Sequence, residues 1–112
     1  MRSRSEILVA IALGLAAAGC GGGDDVSNDE QNRAVAAAKQ AYQQAVTRGD
    51  DLEKGPCIAE SLPDLADWVA DIAHDPREDV DDDPENQCER YRQGDASHFV
   101  ELDPDGELIR AE

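Results

Sequence analysis

The 112-residue chain has little of what large or cofactor-dependent proteins rely on. One tryptophan, one phenylalanine, one methionine and two tyrosines leave few large apolar pieces with which to fill a core. Only 10 basic residues stand against 26 acidic ones, for a net charge of −16, and no cluster of Lys and Arg is available to meet phosphates. Nucleic acid is thereby excluded as a partner. No G-x-G-x-x-G or G-x-x-x-x-G-K-[ST] string occurs, and the consecutive Gly21, Gly22 and Gly23 follow no strand, so dinucleotide and P-loop folds are excluded too. No apolar run approaches the roughly 20 residues that span a bilayer.

What is present begins with a segment to be set aside before the fold is read. Arg2 and Arg4 supply a positive start, and residues 7–18 are an unbroken run of apolar and small side chains, the pattern of an export signal over residues 1–19. Leu15-Ala16-Ala17-Ala18-Gly19-Cys20 resembles a bacterial lipobox, with Ala17 at the position where that signature usually carries Leu. The resemblance implies cleavage before Cys20 and diacylglyceryl modification of its sulfur, hence a lipoprotein anchored to the extracytoplasmic face of the cell membrane. Ser3 separates the two arginines, which favours the general secretory route.

Lipidation of Cys20 leaves Cys57 and Cys88 as one pair in an oxidising compartment, and a disulfide is the expected outcome. Such a staple contributes roughly 3.5 kcal/mol to a domain whose acidic excess opposes compaction. A zinc or thiol site from Cys57, His74, Cys88 and His98 is the competing reading, but the spacings match no zinc-ligand pattern. The acidity itself has two plain readings, adaptation to high salt and a codon bias that leaves two lysines, and neither specifies a ligand.

Residues 20–28 are polar and glycine-rich and read as a flexible tether, followed by a single domain over residues 29–112. Ser27 and Glu30 form an S-x-x-E capping box. Ala34, Val35, Ala38, Ala41, Tyr42, Ala45 and Val46 recur at helical spacing, and Gly49 is placed to close the helix. Its alanine-rich stripe suits close packing on a sheet. Residues 62–74 fit both periods: Leu62, Leu65, Val69 and Ile72 share a helical face, while Trp68, Ala70 and Ile72 alternate as a strand would. Residues 75–89 carry eight carboxylates and two prolines without periodicity and read as a loop. A hairpin follows, with strands over 97–102 and 107–111 joined by Asp103-Pro104-Asp105-Gly106. The fold expected is α+β, with one N-terminal helix on a small antiparallel sheet of about three strands and one disulfide.

From Gly55 onward the chain is similar to an uncharacterised family of small secreted or lipid-anchored proteins. The residues concerned are Gly55-Pro56-Cys57, Trp68-Val69-Ala70-Asp71-Ile72-Ala73-His74, Pro76-Arg77, Pro84-Glu85-Asn86-Gln87-Cys88, His98-Phe99-Val100-Glu101-Leu102-Asp103 and Gly106-Glu107-Leu108-Ile109-Arg110. That resemblance implies paired cysteines and a strand over 68–74, but no reaction.

Three chemistries compete for the function. Asp79, Asp81 and Asp83 supply carboxylates at alternate positions as an EF-hand loop does, yet Pro84 stands where that loop needs Gly and Arg90 where it needs Glu. A looser calcium site from Asp79, Asp81, Asp83 and Glu85, with Asp75 nearby, is the metal reading; no other cofactor is expected. His74 and His98, each with a carboxylate close by in sequence, would form a proton-transfer pair if their strands were neighbours. No nucleophile accompanies them, since Ser61 and Ser97 sit in no nucleophile-elbow string. Trp68 reads as the largest piece of the core. The expectation is therefore a non-enzymatic cell-envelope lipoprotein, a small binding or structural accessory domain. Its partners would be the membrane, through the anchor, and an envelope protein or small ligand. The alternatives are an extracytoplasmic enzyme using His74 and His98, or a calcium module.

Overall fold

The computed structural model describes residues 26–112; the export segment, Cys20 and most of the tether lie outside the described residues. A long helix, α1 (Asn28–Arg48), opens the domain. Ser27 caps it by accepting a hydrogen bond from the Glu30 amide at 3.1 Å. Gly49 ends it in the left-handed conformation, and the Asp50 amide reaches back to the Ala45 carbonyl at 3.0 Å. The buried stripe consists of Ala34, Ala38, Ala41 and Ala45, small enough to bring the helix backbone close to the sheet.

Four strands follow: β1 (Cys57–Ala59), β2 (Trp68–Ile72), β3 (His98–Leu102) and β4 (Leu108–Ala111), hydrogen-bonded in the order β1-β2-β3-β4. The α+β architecture and the single disulfide are as the sequence implies. The sheet adds one strand, Cys57–Ala59, and one parallel pairing that was not expected: β2 and β3 run in the same direction, with antiparallel strands on either side. A parallel pair needs a crossover, and residues 73–97 provide it with two 3-10 turns (Asp79–Asp82 and Pro84–Asn86) and one short helix, α2 (Glu89–Arg92). The acidic segment lacks helical periodicity because it is this irregular crossover.

Strand alternation divides the side chains between two faces. Trp68, Ala70 and Ile72 of β2 and Val100 and Leu102 of β3 point toward α1 and form the main core with Ala34, Ala38, Leu62 and Leu65. Trp68 is fully buried, and its indole Nε1 donates to Glu30 Oε2 at 2.8 Å. Glu30 is therefore only half of the expected capping box, because its carboxylate serves the tryptophan. Val69 and Phe99 point to the opposite face, where a smaller cluster forms with Cys88, Ala96 and Cys57. The crossover lies over that face.

Side-chain contacts fix both ends of the sheet. The Tyr42 hydroxyl donates to the Pro104 carbonyl at 2.9 Å, and its ring lies where a side chain at residue 106 would stand; Gly106, at φ 89°, is the residue that admits it. In the hairpin turn, Asp103 Oδ1 accepts from the amides of Asp105 and Glu107, both at 2.9 Å. At the other end the guanidinium of Arg90 donates to the carbonyls of Glu60, Ala66 and Asp95, while the Glu60 carboxylate accepts from the amides of Glu89 and Arg90. This network binds the crossover to the β1-β2 connection beside the disulfide.

Candidate functional site

One row of residues crosses all four strands on the face away from α1. Cys57 of β1 is in register with Asp71 of β2, Asp71 with Glu101 of β3, and Glu101 with Arg110 of β4. Neighbouring strands are about 4.8 Å apart, so the two carboxyl groups are forced into one another's field. Cys57 is bonded to Cys88 of the crossover, as the cysteine count implies; the pair is 31 residues apart in sequence. The disulfide holds the crossover above the row and leaves between them an open cavity of about 590 Å³. Val69 and Phe99 form part of its floor, and Arg77 and Tyr91 reach in from the crossover.

The two acids have different circumstances. Glu101 is 7 % exposed, and each of its oxygens has a cation: Arg77 Nη1 donates to Oε2 at 3.2 Å and Arg110 Nε to Oε1 at 3.1 Å. Arg77 also donates to the Asp81 carbonyl and to Asp82 Oδ1, which orients its guanidinium. Arg110 lies 5.5 Å from the Phe99 ring centroid, and Tyr91 packs edge-on to that ring at 5.2 Å. Asp71 has neither arginine: among the described residues its Oδ1 is the one buried side-chain oxygen or nitrogen without a hydrogen-bond partner. Burial pushes its carboxyl up to about 8, and the negative charge of Glu101 adds to that, outweighing the attraction of Arg77 and Arg110. At neutral pH Asp71 thus keeps its proton beside the doubly paired Glu101.

A second cluster surrounds His74, just beyond the end of β2. Asp81, whose side chain is 1 % exposed, accepts from the His74 amide at 2.9 Å, from the Glu78 amide at 2.9 Å, and pairs with His74 Nδ1 at 3.0 Å. Glu53 and Glu78 flank Nε2 at 3.4 and 3.7 Å. Burial of the ring works against its charged form, but the bonds to Asp81 and Glu53 outweigh that and hold His74 above its usual value. Burial likewise works against the Asp81 carboxylate, and the Glu78 and His74 amides outweigh it, so Asp81 stays below the usual range. Gly55, at φ 66°, passes directly beside Asp81 Oδ1, where a methyl group would collide. The cluster ties the 3-10 turn Leu52–Lys54 to the crossover.

These positions decide how the residues singled out by sequence relate to one another. His74 and His98 lie on neighbouring strands, but the strands are parallel: His98 is in register with Trp68, and His74 lies two residues beyond Ile72. Six residues of strand separate their levels, roughly 20 Å. They do not form a pair. His98 instead stacks on Trp68, with ring centroids 4.9 Å apart, and its Nε2 is 3.6 Å from Asp67 Oδ2. The acidic loop does not gather around one centre either. Asp81 is turned inward, Asp83 Oδ1 accepts from the Glu85 amide, and Asp79 and Glu85 face solvent. Among the described residues, the group of three ligand-type atoms within 4.8 Å comes from Cys57, Glu60 and Cys88, and two of those atoms are the disulfide sulfurs.

Asp71, Arg77 and Arg110 carry no role in the sequence reading, and Glu101 enters it only as the carboxylate near His98. A signal for them exists: β2 and β3 each place an apolar residue and an acid on the same face, Val69 with Asp71 and Phe99 with Glu101. Its meaning depends on the parallel register, which no local pattern announces. Comparison with protein-family models, with curated proteins and with solved structures returns no match to this chain.

Proposed function

We propose that this chain is a lipid-anchored, extracytoplasmic binding module of the cell envelope, and that it takes a small polar ligand into the cavity between the sheet and the crossover. The observation that carries the binding reading is the Asp71 carboxyl, which lines the cavity with one oxygen buried and unpartnered, while Glu101 beside it is doubly paired. A buried polar atom without a partner costs about 1–3 kcal/mol, and a ligand donor bound to the half-buried Asp71 carboxyl offsets part of it. The volume falls in the range of small-molecule sites, and the lining combines apolar surface with a few convergent charges. The disulfide and the Arg90 network hold the walls before any ligand arrives, which limits the ordering cost of binding.

The anchoring reading rests on the export segment and on the lipobox-like string ending in Cys20. A diacylglyceryl group there, with further acylation, holds a protein stably at a membrane where one chain does not. The tether over residues 20–28 then carries the domain off the bilayer, where it serves as an accessory to another envelope component. No helix among the described residues is long and apolar enough to cross a membrane.

Two measurements test this reading. An intact mass of the membrane-extracted protein should correspond to a chain starting at Cys20 with added diacylglycerol; a chain with unmodified Cys20 contradicts the anchor. A panel of small charged and uncharged organic compounds, followed by NMR, should shift the signals of Val69, Asp71, Phe99 and Glu101 with at least one member. A panel that shifts none of them contradicts the cavity as a binding site.

A further inference from the structure

The cavity's charges also bear on what kind of ligand it takes, given the binding function proposed above. Arg77 and Arg110 are committed to Glu101, and Asp81 is committed to His74 and to the Glu78 amide. Arg92 and Glu112, both exposed and opposite in sign, also line the cavity, and Asp71 is the acid with a buried oxygen left without a partner. We infer that the cavity selects a small organic ligand carrying one ammonium group, held by the Asp71 carboxylate beside Glu101.

Three observations support a cation over an anion. First, an anion at the floor would face two acids in register on β2 and β3, where Arg77 and Arg110 already have partners and the third arginine of the lining, Arg92, is exposed to solvent. Second, an ammonium supplies both things the Asp71 carboxyl lacks, a hydrogen-bond donor and a positive charge to offset Glu101. Third, the net charge of −16 concentrates cations near the surface and repels anions. The walls set the rest of the ligand: Phe99 and the exposed ring of Tyr91 offer apolar contact beside the acid, which suits an amine on a compact apolar body.

Binding is an exchange of one cation for another. The ammonium enters as R–NH3⁺, the Asp71 carboxylic acid releases its proton to solvent, and the resulting carboxylate accepts from the ammonium; no bond to the amine nitrogen is made or broken. The charges facing Asp71 are Glu101 from β3, Arg110 from β4, and Arg77 and Asp81 from the crossover. Its neighbour on β1, Cys57, is in the disulfide and does not titrate.

Benzylamine, benzyl alcohol and benzoate share a ring and differ in charge, so calorimetric titration of the intact protein with each tests the inference. Benzylamine is expected to bind about tenfold or more tighter than the alcohol, a charge-assisted against a neutral hydrogen bond, with release of close to one proton near neutral pH. Its affinity is expected to rise about tenfold per pH unit up to about pH 8, as less work is needed to remove the Asp71 proton. Asp71→Asn is expected to abolish the preference. Should that variant fail to fold, the Asp71 carboxyl carbon of the unaltered protein provides the second readout, and its signal is expected to shift on adding benzylamine. Benzylamine binding no tighter than the alcohol, or binding without proton release, overturns the inference. Tighter binding of benzoate overturns it while leaving the cavity a ligand site, and binding by none of the three, with no response in the wider compound panel, overturns the proposed function as well.

Discussion

Asp71 and Glu101 stand opposite one another on the two parallel strands, yet both arginines of the site pair with Glu101. The division follows from the sheet: Glu101 has Arg110 in register on its other side, whereas Asp71 has Cys57. Asp71, desolvated and without a cation of its own, thereby keeps its proton at neutral pH.

The raised Asp71 value has a consequence for stability. A carboxyl held at about 8 in the folded protein and at 3.8 when unfolded keeps its proton only in the folded state between those values. Its stabilising contribution is complete below about pH 4 and is lost as pH rises to about 8, with a slope near 1.4 kcal/mol per pH unit as an upper bound. Asp71→Asn, which cannot ionise, should therefore become more stable than the parent as pH rises through this window. Urea denaturation of both proteins between about pH 5 and pH 9 checks it.

Glu101→Gln removes the charge that adds to burial in raising Asp71. The Asp71 midpoint is expected to fall below about 8 while staying above the normal aspartate range, because burial, the larger cause, is untouched. Carboxyl carbon shifts against pH report it directly. The same variant frees Arg77 and Arg110, both more than two-fifths exposed, so the cost in stability should be small, about 1–2 kcal/mol.

Asp81 is a structural residue and not a surface acid. Replacement by Asn is expected to cost about 2–3 kcal/mol, since the His74 ring and two amides lose a charged acceptor in a buried place. The pH dependence has two signs here. His74 lies above its usual 6.5, so its contribution is present below that value and fades as pH rises past it; Asp81 lies below 3.8, so its contribution is present above that value and fades in acid. Melting temperatures of parent and Asp81→Asn should differ most between those limits.

Cys57→Ser with Cys88→Ser is expected to lower stability by about 3.5 kcal/mol through the freed 31-residue loop. The loss should fall on the cavity first, since the bond holds the crossover over Asp71. Hydrogen exchange in residues 73–97 should rise more than in α1.

How far the sequence reveals this fold depends on how local each signal is. Ser27, Gly49 and the Asp103-to-Gly106 turn act within a few residues, and the cap, the helix end and the hairpin are where the pattern puts them. The cysteine pairing follows from counting. Residues 62–74 were ambiguous because Leu62 and Leu65 are buried from a tight turn and not from a helix, which imitates helical spacing ahead of the real strand. Glu30 was misread in part because its true partner, Trp68, is 38 residues away. Glu30→Ala tests that reassignment: leaving the buried indole N–H without an acceptor should cost about 1–2 kcal/mol. The candidate site was illegible for the same reason on a larger scale. Asp71 meets Glu101 only through a parallel pairing across an irregular crossover, and neither residue differs locally from the acids that surround it in sequence.

The most direct test of the site is a titration of the side-chain carboxyl carbons by NMR, with and without benzylamine. One aspartate, assigned to Asp71, should titrate near pH 8 in the protein alone and move to lower pH when the amine is added. If Asp71 titrates instead with the ordinary acids, below about pH 5, it holds no proton at neutral pH for an amine to displace.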